Sequence, residues 1–246
     1  MSRSDSIYGR HPVSEALRSG TREVERLFVA DGSKLDDLVG LARDCGVPVQ
    51  RVGRAKLDAM VGHVQHQGVV AMVTAFAYSD IDDVIDAVLA RGDVPLVLAL
   101  DLIQDPHNLG SLTRSALALG AHAVIIPKDR AVEVTGTVVK TSAGATAHLP
   151  ICRVTNLRHA LEGLKTRGLW VYGAAADEGT AIADADFVRP SVVVIGSEGK
   201  GLRRLVTETC DVLVHVPMSG KLGSLNAAVA GSIILYEAAR QRRGMR

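Results

Sequence analysis

Apolar positions change their spacing partway along the chain. Up to about residue 75 they come in short runs. "PVSEALRSG" spaces them as a helix, with Pro12 suited to its first turn and Gly20 to its end. "RLFVA" and "VPVQRV" read as strands, and "SKLDDLVGLARDCG" between them reads as an amphipathic helix capped by Ser33. "QGVVAMVTAF" is a β-branched, mostly apolar strand. The next stretch, "SDIDDVIDAVLARG", predicts a helix with Ser79 as N-cap and acids in the first turn, where the helix dipole favours negative charge. From Val94 the apolar runs lengthen and lose their alternation: "PLVLALD", "HAVIIP", "LWVYGAA", "SVVVIG" and "DVLVHVP". Strands apolar on both faces, separated by helices, predict a parallel sheet covered on both sides. In such α/β folds ligands collect where loops leave the carboxyl ends of the strands. The pattern divides the chain into a small α/β module over 1–75, a linker helix within 76–94 and a larger sheet domain over 95–246.

Composition narrows the class. The 246 residues are 47% hydrophobic, enough for one large core or two smaller ones. Net charge is +1, with ten Lys and Arg against nine Asp and Glu over 1–75 and eighteen against eighteen beyond. Charge alone therefore announces no nucleic-acid partner, although one face could still be basic. Cys45, Cys152 and Cys210 are far apart and form no CxxC pair, so neither a disulfide framework nor a metal site is expected. The first residues lack an apolar stretch of signal-peptide length, and no run predicts a membrane span, so a cytoplasmic protein is expected. Aromatics at 3% would supply few stacking platforms for RNA.

Three loops carry candidate chemistry. In "LDLIQDPHNLGSLTRSALALG" a strand ends near Asp105-Pro106, and Asn108 is placed to cap a helix from about Leu109 to Leu119. Arg114 stands out on that small, apolar helix, as either an anion contact or a surface arginine. "VVVIGSEGKGL" looks like a phosphate loop but fails the test. Gly196 is too close to Lys200, no hydroxyl follows that lysine, and the fingerprint of dinucleotide sites is missing. Glu198 would repel phosphate; it suits a ligand presenting hydroxyls, amines or positive charge. In "VHVPMSGKLGSLNAAVAGSIILYEAARQR" a strand runs into a flexible arm, then Ser224 and Asn226 at the start of a long helix. Those two are ordinary helix caps when read alone. Small residues early in that helix favour a tight helix contact, within the chain or between subunits.

Taken in order, Asn108 with Arg114, "GSEGKGL" and "VPMSGKLGSLNAAVA" resemble the three signature motifs of the SpoU (TrmH-like) RNA ribose 2′-O-methyltransferases of the SPOUT superfamily, over roughly residues 95–242. "IYGRHPVSEAL" and "HQGVVAMV" resemble the small L30e-like substrate-binding module of the longer members. The similarity is greatest to bacterial enzymes that methylate a guanosine ribose of 23S rRNA, with tRNA enzymes as near relatives. The resemblance implies an α/β fold with a trefoil-knotted, mainly parallel sheet domain preceded by an L30e-like domain, a homodimer, and S-adenosyl-L-methionine as methyl donor. Periodicity predicts no knot, and knots run against the general rule of unthreaded chains. By the same resemblance Gly196, Val216, Met218 and Leu225 would hold the cofactor, and Arg114, Asn108, Glu198, Ser224 and Asn226 would form the catalytic group. The donor would carry a cationic sulfonium and no phosphate, which gives an acid among glycines a purpose. Two rival functions stay open at this stage: a catalytically inactive RNA-binding protein and a nucleotide-dependent oxidoreductase. His63, His66 and Gln67 are candidate RNA contacts or satisfied structural residues, and the tail "RQRRGMR" either touches phosphates or keeps the helix end soluble.

Overall fold

The computed structural model describes residues 5–20, 22–62, 64–220 and 223–243. Chain contacts divide it into two compact units, Met1–Ala77 with Glu133–His148, and Tyr78–Val132 with Leu149–Arg246.

The first unit contains β1 (Asp5–Tyr8), α1 (Arg10–Ser19), β2 (Val24–Ala30), α2 (Asp36–Asp44), β3 (Val49–Val52), α3 (Arg54–Val61) and β4 (Val69–Val73). Its sheet runs β1-β4-β2-β3, with β2 and β3 parallel and β4 antiparallel to its neighbours. Tyr8, Phe28, Val52, Leu57 and Val70 form a core beneath it. Gly20 ends α1 in the left-handed conformation, as its position after the helix predicts. Ser33 does not cap α2; its hydroxyl donates to the Ala30 carbonyl at 2.7 Å, and the helix begins at Asp36, where Asp36 and Asp37 meet the dipole. His66 is structural: it is 1% exposed, its Nδ1 accepts from Gly68 N at 3.0 Å, and its Nε2 faces Asp58 at 3.1 Å. Gln67 lies beside it in the left-handed region, and its Oε1 accepts from Arg10 N. His63 lies outside the described residues.

The sequence pattern does not foretell that a later segment completes this unit. Helix α6 (Gly136–Thr141) and the turn Ala145–Ala147 pack on β1 and α1. The Tyr8 and Thr137 hydroxyls are 2.9 Å apart, Lys140 Nζ donates to Gln65 O at 2.7 Å, and His148 meets Glu15 at 2.9 Å.

The second unit contains α4 (Ile81–Ala90), β5 (Leu96–Leu100), α5 (Pro106–Ala118), β6 (Ala123–Pro127), β7 (Ile151–Val154), α7 (Leu157–Thr166), β8 (Trp170–Ala174), β9 (Thr180–Ala181), β10 (Ser191–Ile195), α8 (Arg204–Thr207), β11 (Val212–His215) and α9 (Ala227–Arg243). The strands form one parallel sheet in the order β7-β6-β5-β10-β8-β11-β9. β5, β6 and β10 are buried throughout, which explains their unbroken apolar runs. Helix α4, expected as a linker, packs Ile81 and Ile85 against Val97, Ala123 and Val192 in the core of this unit. Its cap is Asp80, which accepts from Asp82 N, whereas Ser79 bridges to Cys152 beside β7. Among the described residues no helix is long and apolar enough to cross a membrane.

Candidate active site

Parallel strands deliver their carboxyl ends to one edge of the sheet, and the chain departs from β10 there through Gly196–Leu202. That loop is a small closed turn: Ser197 N donates to Gly201 O at 3.0 Å and Gly201 N returns to Ser197 O at 2.9 Å. A side chain at Gly196 would put its Cβ 2.2 Å from the Gly201 carbonyl carbon, so the turn closes only on glycine. Its base is clamped to β5. Asp101, fully buried, accepts from Arg203 N at 2.8 Å and Nε at 2.7 Å, and Asp101 N donates to Ile195 O. A buried carboxylate held by a guanidinium and an amide is a strong, directional anchor. Glu198 rides at the tip of this anchored turn.

Helices bring two amides to it. Asp105, not Asn108, caps α5, accepting from His107 N at 3.0 Å, and Pro106 fits the first turn. With the cap supplied three residues earlier, the Asn108 side chain is released to the site, where its Nδ2 donates to Glu198 Oε1 at 3.0 Å. Asn226 both caps a helix and reaches the other two side chains. Its Oδ1 accepts from Ala228 N at 2.9 Å and Val229 N at 3.2 Å, capping α9, while its Nδ2 donates to Asn108 Oδ1 at 3.1 Å and also contacts Glu198 Oε1. The three side chains are joined pairwise, and Glu198 Oε2 is left without a partner among the described residues.

Beside the triangle lies a cavity of about 650 Å³ in the second unit. Ala174–Ala176, Gly196, Val216, Met218, Ser224 and Leu225 are among its walls, together with Glu198 and Asn226. The structure thus brings together eight of the nine expected site residues: Asn108, Glu198 and Asn226 in the triangle, and Gly196, Val216, Met218, Ser224 and Leu225 around the cavity. Arg114 is apart. It is exposed, has no partner among the described residues, and is six positions beyond Asn108, which turns it about 120° away around the helix. It sits one turn after Ser111, which lines a second, open groove of about 480 Å³ with His107, Val229, Ser232 and Tyr236 between α5 and α9.

Sequence reasoning missed Asp101 and Arg203. An aspartate ending an apolar strand is visible in "LVLALD", but its partner lies far along the chain and no spacing rule connects the two.

An open parallel sheet, with a cavity at its carboxyl edge lined mostly by small apolar residues and a polar triangle on its lip, defines an α/β enzyme for a small cofactor with a second, polar substrate. Residues 95–236 match the SpoU rRNA Methylase family, and residues 6–79 match the RNA 2′-O ribose methyltransferase substrate binding family. The chain belongs to the SpoU family of RNA methyltransferases. It is 46% identical over 241 residues to the putative TrmH family tRNA/rRNA methyltransferase YacO of Bacillus subtilis, covering 97% of this chain and 96% of that one. The SpoU methyltransferase AviRb of Streptomyces viridochromogenes, solved in complex with AdoMet, superposes with a TM-score of 0.80 at 30% identity, covering 98% of this chain and 91% of that one. The TrmH/SpoU tRNA modifying enzyme of A. aeolicus matches 62% of this chain and 78% of its own, with a TM-score of 0.56 at 27% identity.

Proposed function

We propose that this protein methylates the 2′-hydroxyl of a ribose in RNA with S-adenosyl-L-methionine as donor, and that a guanosine of 23S rRNA is the acceptor. The observation that carries the reading is the Asn108–Glu198–Asn226 triangle on the lip of the glycine-walled cavity. The cavity suits the donor: its volume falls within the range of small-molecule sites, and its alanine, glycine, valine and leucine walls would take a flat adenosine. Glu198 at the mouth suits a cationic group and would repel a phosphate. When bound, S-adenosylmethionine supplies an electrophilic methyl group on sulfur.

The chain's own task is to aim the poor nucleophile. Asn108 and Asn226 hold one oxygen of Glu198, and its free Oε2 would accept from the ribose hydroxyl and take up its proton as the methyl group is transferred. Arg114, which lies apart from the triangle, binds the substrate phosphate. It does not act as a base, because a guanidinium keeps its proton in proteins. Ser224 steadies the ribose from the third motif.

The same reading takes the chain through a trefoil knot; the convergence of 196–201 and 223–226 on one cavity supports it. It also makes the protein a homodimer through the α5–α9 groove, where Val229 is 47% and Tyr236 57% exposed. Docking a second copy on that groove would enclose Arg114, beside Ser111 on the groove side of α5.

The test separates binding from turnover. Arg114→Ala and Arg114→Lys are expected to bind S-adenosylmethionine with wild-type affinity by calorimetry and to lose methyl transfer to rRNA. Loss of donor affinity together with rate would overturn the role given to Arg114. Mapping ribose methylation in cells lacking the gene tests the acceptor, and a missing methyl group on tRNA instead of 23S rRNA would replace it.

A further inference from the structure

In the second unit, many cations are held by partners, among them Arg203 by Asp101 at the carboxyl edge. Near the amino ends of the strands they are engaged: Arg167 with Asp82 and Asp86, Arg189 with Asp186, and Arg242 with four carbonyl oxygens. At the carboxyl edge, Lys128 and Arg130 leave β6 exposed and without a partner among the described residues. Their loop is nonetheless firmly held. Lys128 N donates to Val154 O at 2.8 Å, Arg153 Nη2 donates to Lys128 O at 3.2 Å, Gln104 Nε2 reaches Arg130 O at 3.4 Å, and Val132 N donates to Ile103 O at 3.1 Å. The Arg153 guanidinium in turn lies 5.3 Å from the centre of the Tyr78 ring. Arg130 has φ of 58°, in the left-handed region, where a side chain costs about 1 kcal/mol relative to glycine. The backbone is fixed by its neighbours while the two charges face outward.

The opposite half of the same edge differs. The cavity walls come from β10, β8 and β11, and the exposed Asp177 and Glu178 follow directly on Ala174–Ala176. On the cavity side Asp177, Glu178 and Glu198 outnumber the exposed Lys200, whereas on the β6 side Lys128 and Arg130 outnumber Asp129. β6 is two strands from β10, or about 10 Å at the spacing of neighbouring strands. A polyanion with one sugar at the triangle is therefore repelled from the cavity side and drawn toward Lys128 and Arg130. Asp129 sits between the two cations, so residues 128–130 carry one net positive charge.

We infer that the loop after β6 is a phosphate track for the RNA substrate, so that the strand crosses the β5–β6–β7 half of the sheet edge, with Lys128 and Arg130 contacting phosphates flanking the methylated ribose. This rests on the proposed function and adds a direction of travel and two contact residues to it.

The test measures binding of a fluorescein-labelled single-stranded oligoribonucleotide by anisotropy across a salt series, with donor affinity measured in parallel by calorimetry. Lys128→Ala/Arg130→Ala should bind RNA more weakly, with the slope of log K against log salt shallower by about 0.7 for each phosphate no longer neutralised. Donor affinity should not change, and Lys128→Arg should retain the wild-type slope. Arg243→Ala, an exposed cation at the end of α9, should also retain it. An unchanged slope in the double variant, or an equal loss in Arg243→Ala, overturns the track. If the wild-type protein methylates RNA and the double variant keeps its kcat/KM for RNA, the track fails and the proposed function stands. If the wild-type protein methylates no RNA while the slope change persists, the proposed function fails and the track stands as an RNA-binding surface.

Discussion

Asn226 shows how much one side chain carries in this site. Its oxygen caps α9 and its nitrogen ties Asn108 to Glu198, so stability and geometry can be separated by substitution. Asn226→Asp keeps the cap oxygen but replaces the donors with a second carboxylate facing Glu198. We expect unfolding in urea to change little and methyl transfer to be lost. Asn226→Ala removes both, and should cost about 1 kcal/mol of stability as well. The cysteines offer a second check at this scale. Burial pushes the thiols of Cys152 and Cys210 up to about 12, whereas Cys45 is exposed. At pH 8 a thiol reagent should therefore modify Cys45 in the native protein, and reach the other two only after denaturant is added. At the residue scale the sequence is informative about which side chains matter and less so about their task. Asn108 reads as a cap because Asp105 and Asn108 are both good caps; which of them occupies the position depends on where Pro106 starts the helix, and the loser becomes available to the site.

Among the elements, α9 sets the tightest tolerance. A Cβ at Gly231 would lie 2.5 Å from Leu112 Cδ2 and 3.2 Å from Ile195 Cγ1, and Leu112 is fully buried with no room to withdraw. Gly231→Val should push α9 away from α5 and β10 and destabilise the fold by about 1–3 kcal/mol in chemical denaturation. Of the tail, Arg243 is exposed and residues 244–246 lie outside the described residues, while Arg242 is anchored. Arg242 turns inward onto the carbonyls of Val94, Pro95, Phe187 and Arg189, and burial pulls its guanidinium down to about 10. Nearby, burial lowers His122 below its ordinary 6.5, with Arg242 and Arg91 reinforcing the shift and Asp93 opposing it. The neutral ring accepts from Leu96 N at 3.1 Å. Because the folded value lies below the unfolded one, His122 contributes stability that is full above pH 6.5 and is lost as pH falls toward the folded value. His122→Asn should flatten the decline in melting temperature over that acidic range. The strands of the second unit are legible because a sheet buried on both faces needs unbroken apolar runs. β1, β7 and β9 are not: they are short and partly polar, as DSIY, ICRV and TA, and form no apolar run.

For the whole molecule, the two-part plan is readable from the change in spacing near residue 76, but its interleaving is not. Glu133–His148 belongs to the first unit through contacts such as Tyr8 with Thr137 and His148 with Glu15, and a local pattern carries no mark of such distant partners. A fragment ending at Ala77 should accordingly unfold at lower urea than the same unit within the intact chain, monitored by hydrogen exchange of the β4 amides. The proposed dimer makes a separate prediction at this scale. Tyr236→Asp puts a charge on the exposed α5–α9 groove and should yield a monomer in sedimentation velocity, without loss of secondary structure.

That interleaving bears on how the protein is made. Translation supplies β1 through β4 well before it supplies α6, so the first unit leaves the ribosome lacking part of its cover. At about 5–20 residues per second, the interval between Ala77 and His148 lasts roughly 4–14 s. For that time the faces of β1 and α1 that α6 later covers are open to water, chaperones or another nascent copy, and a pause in synthesis within this window would prolong the exposure.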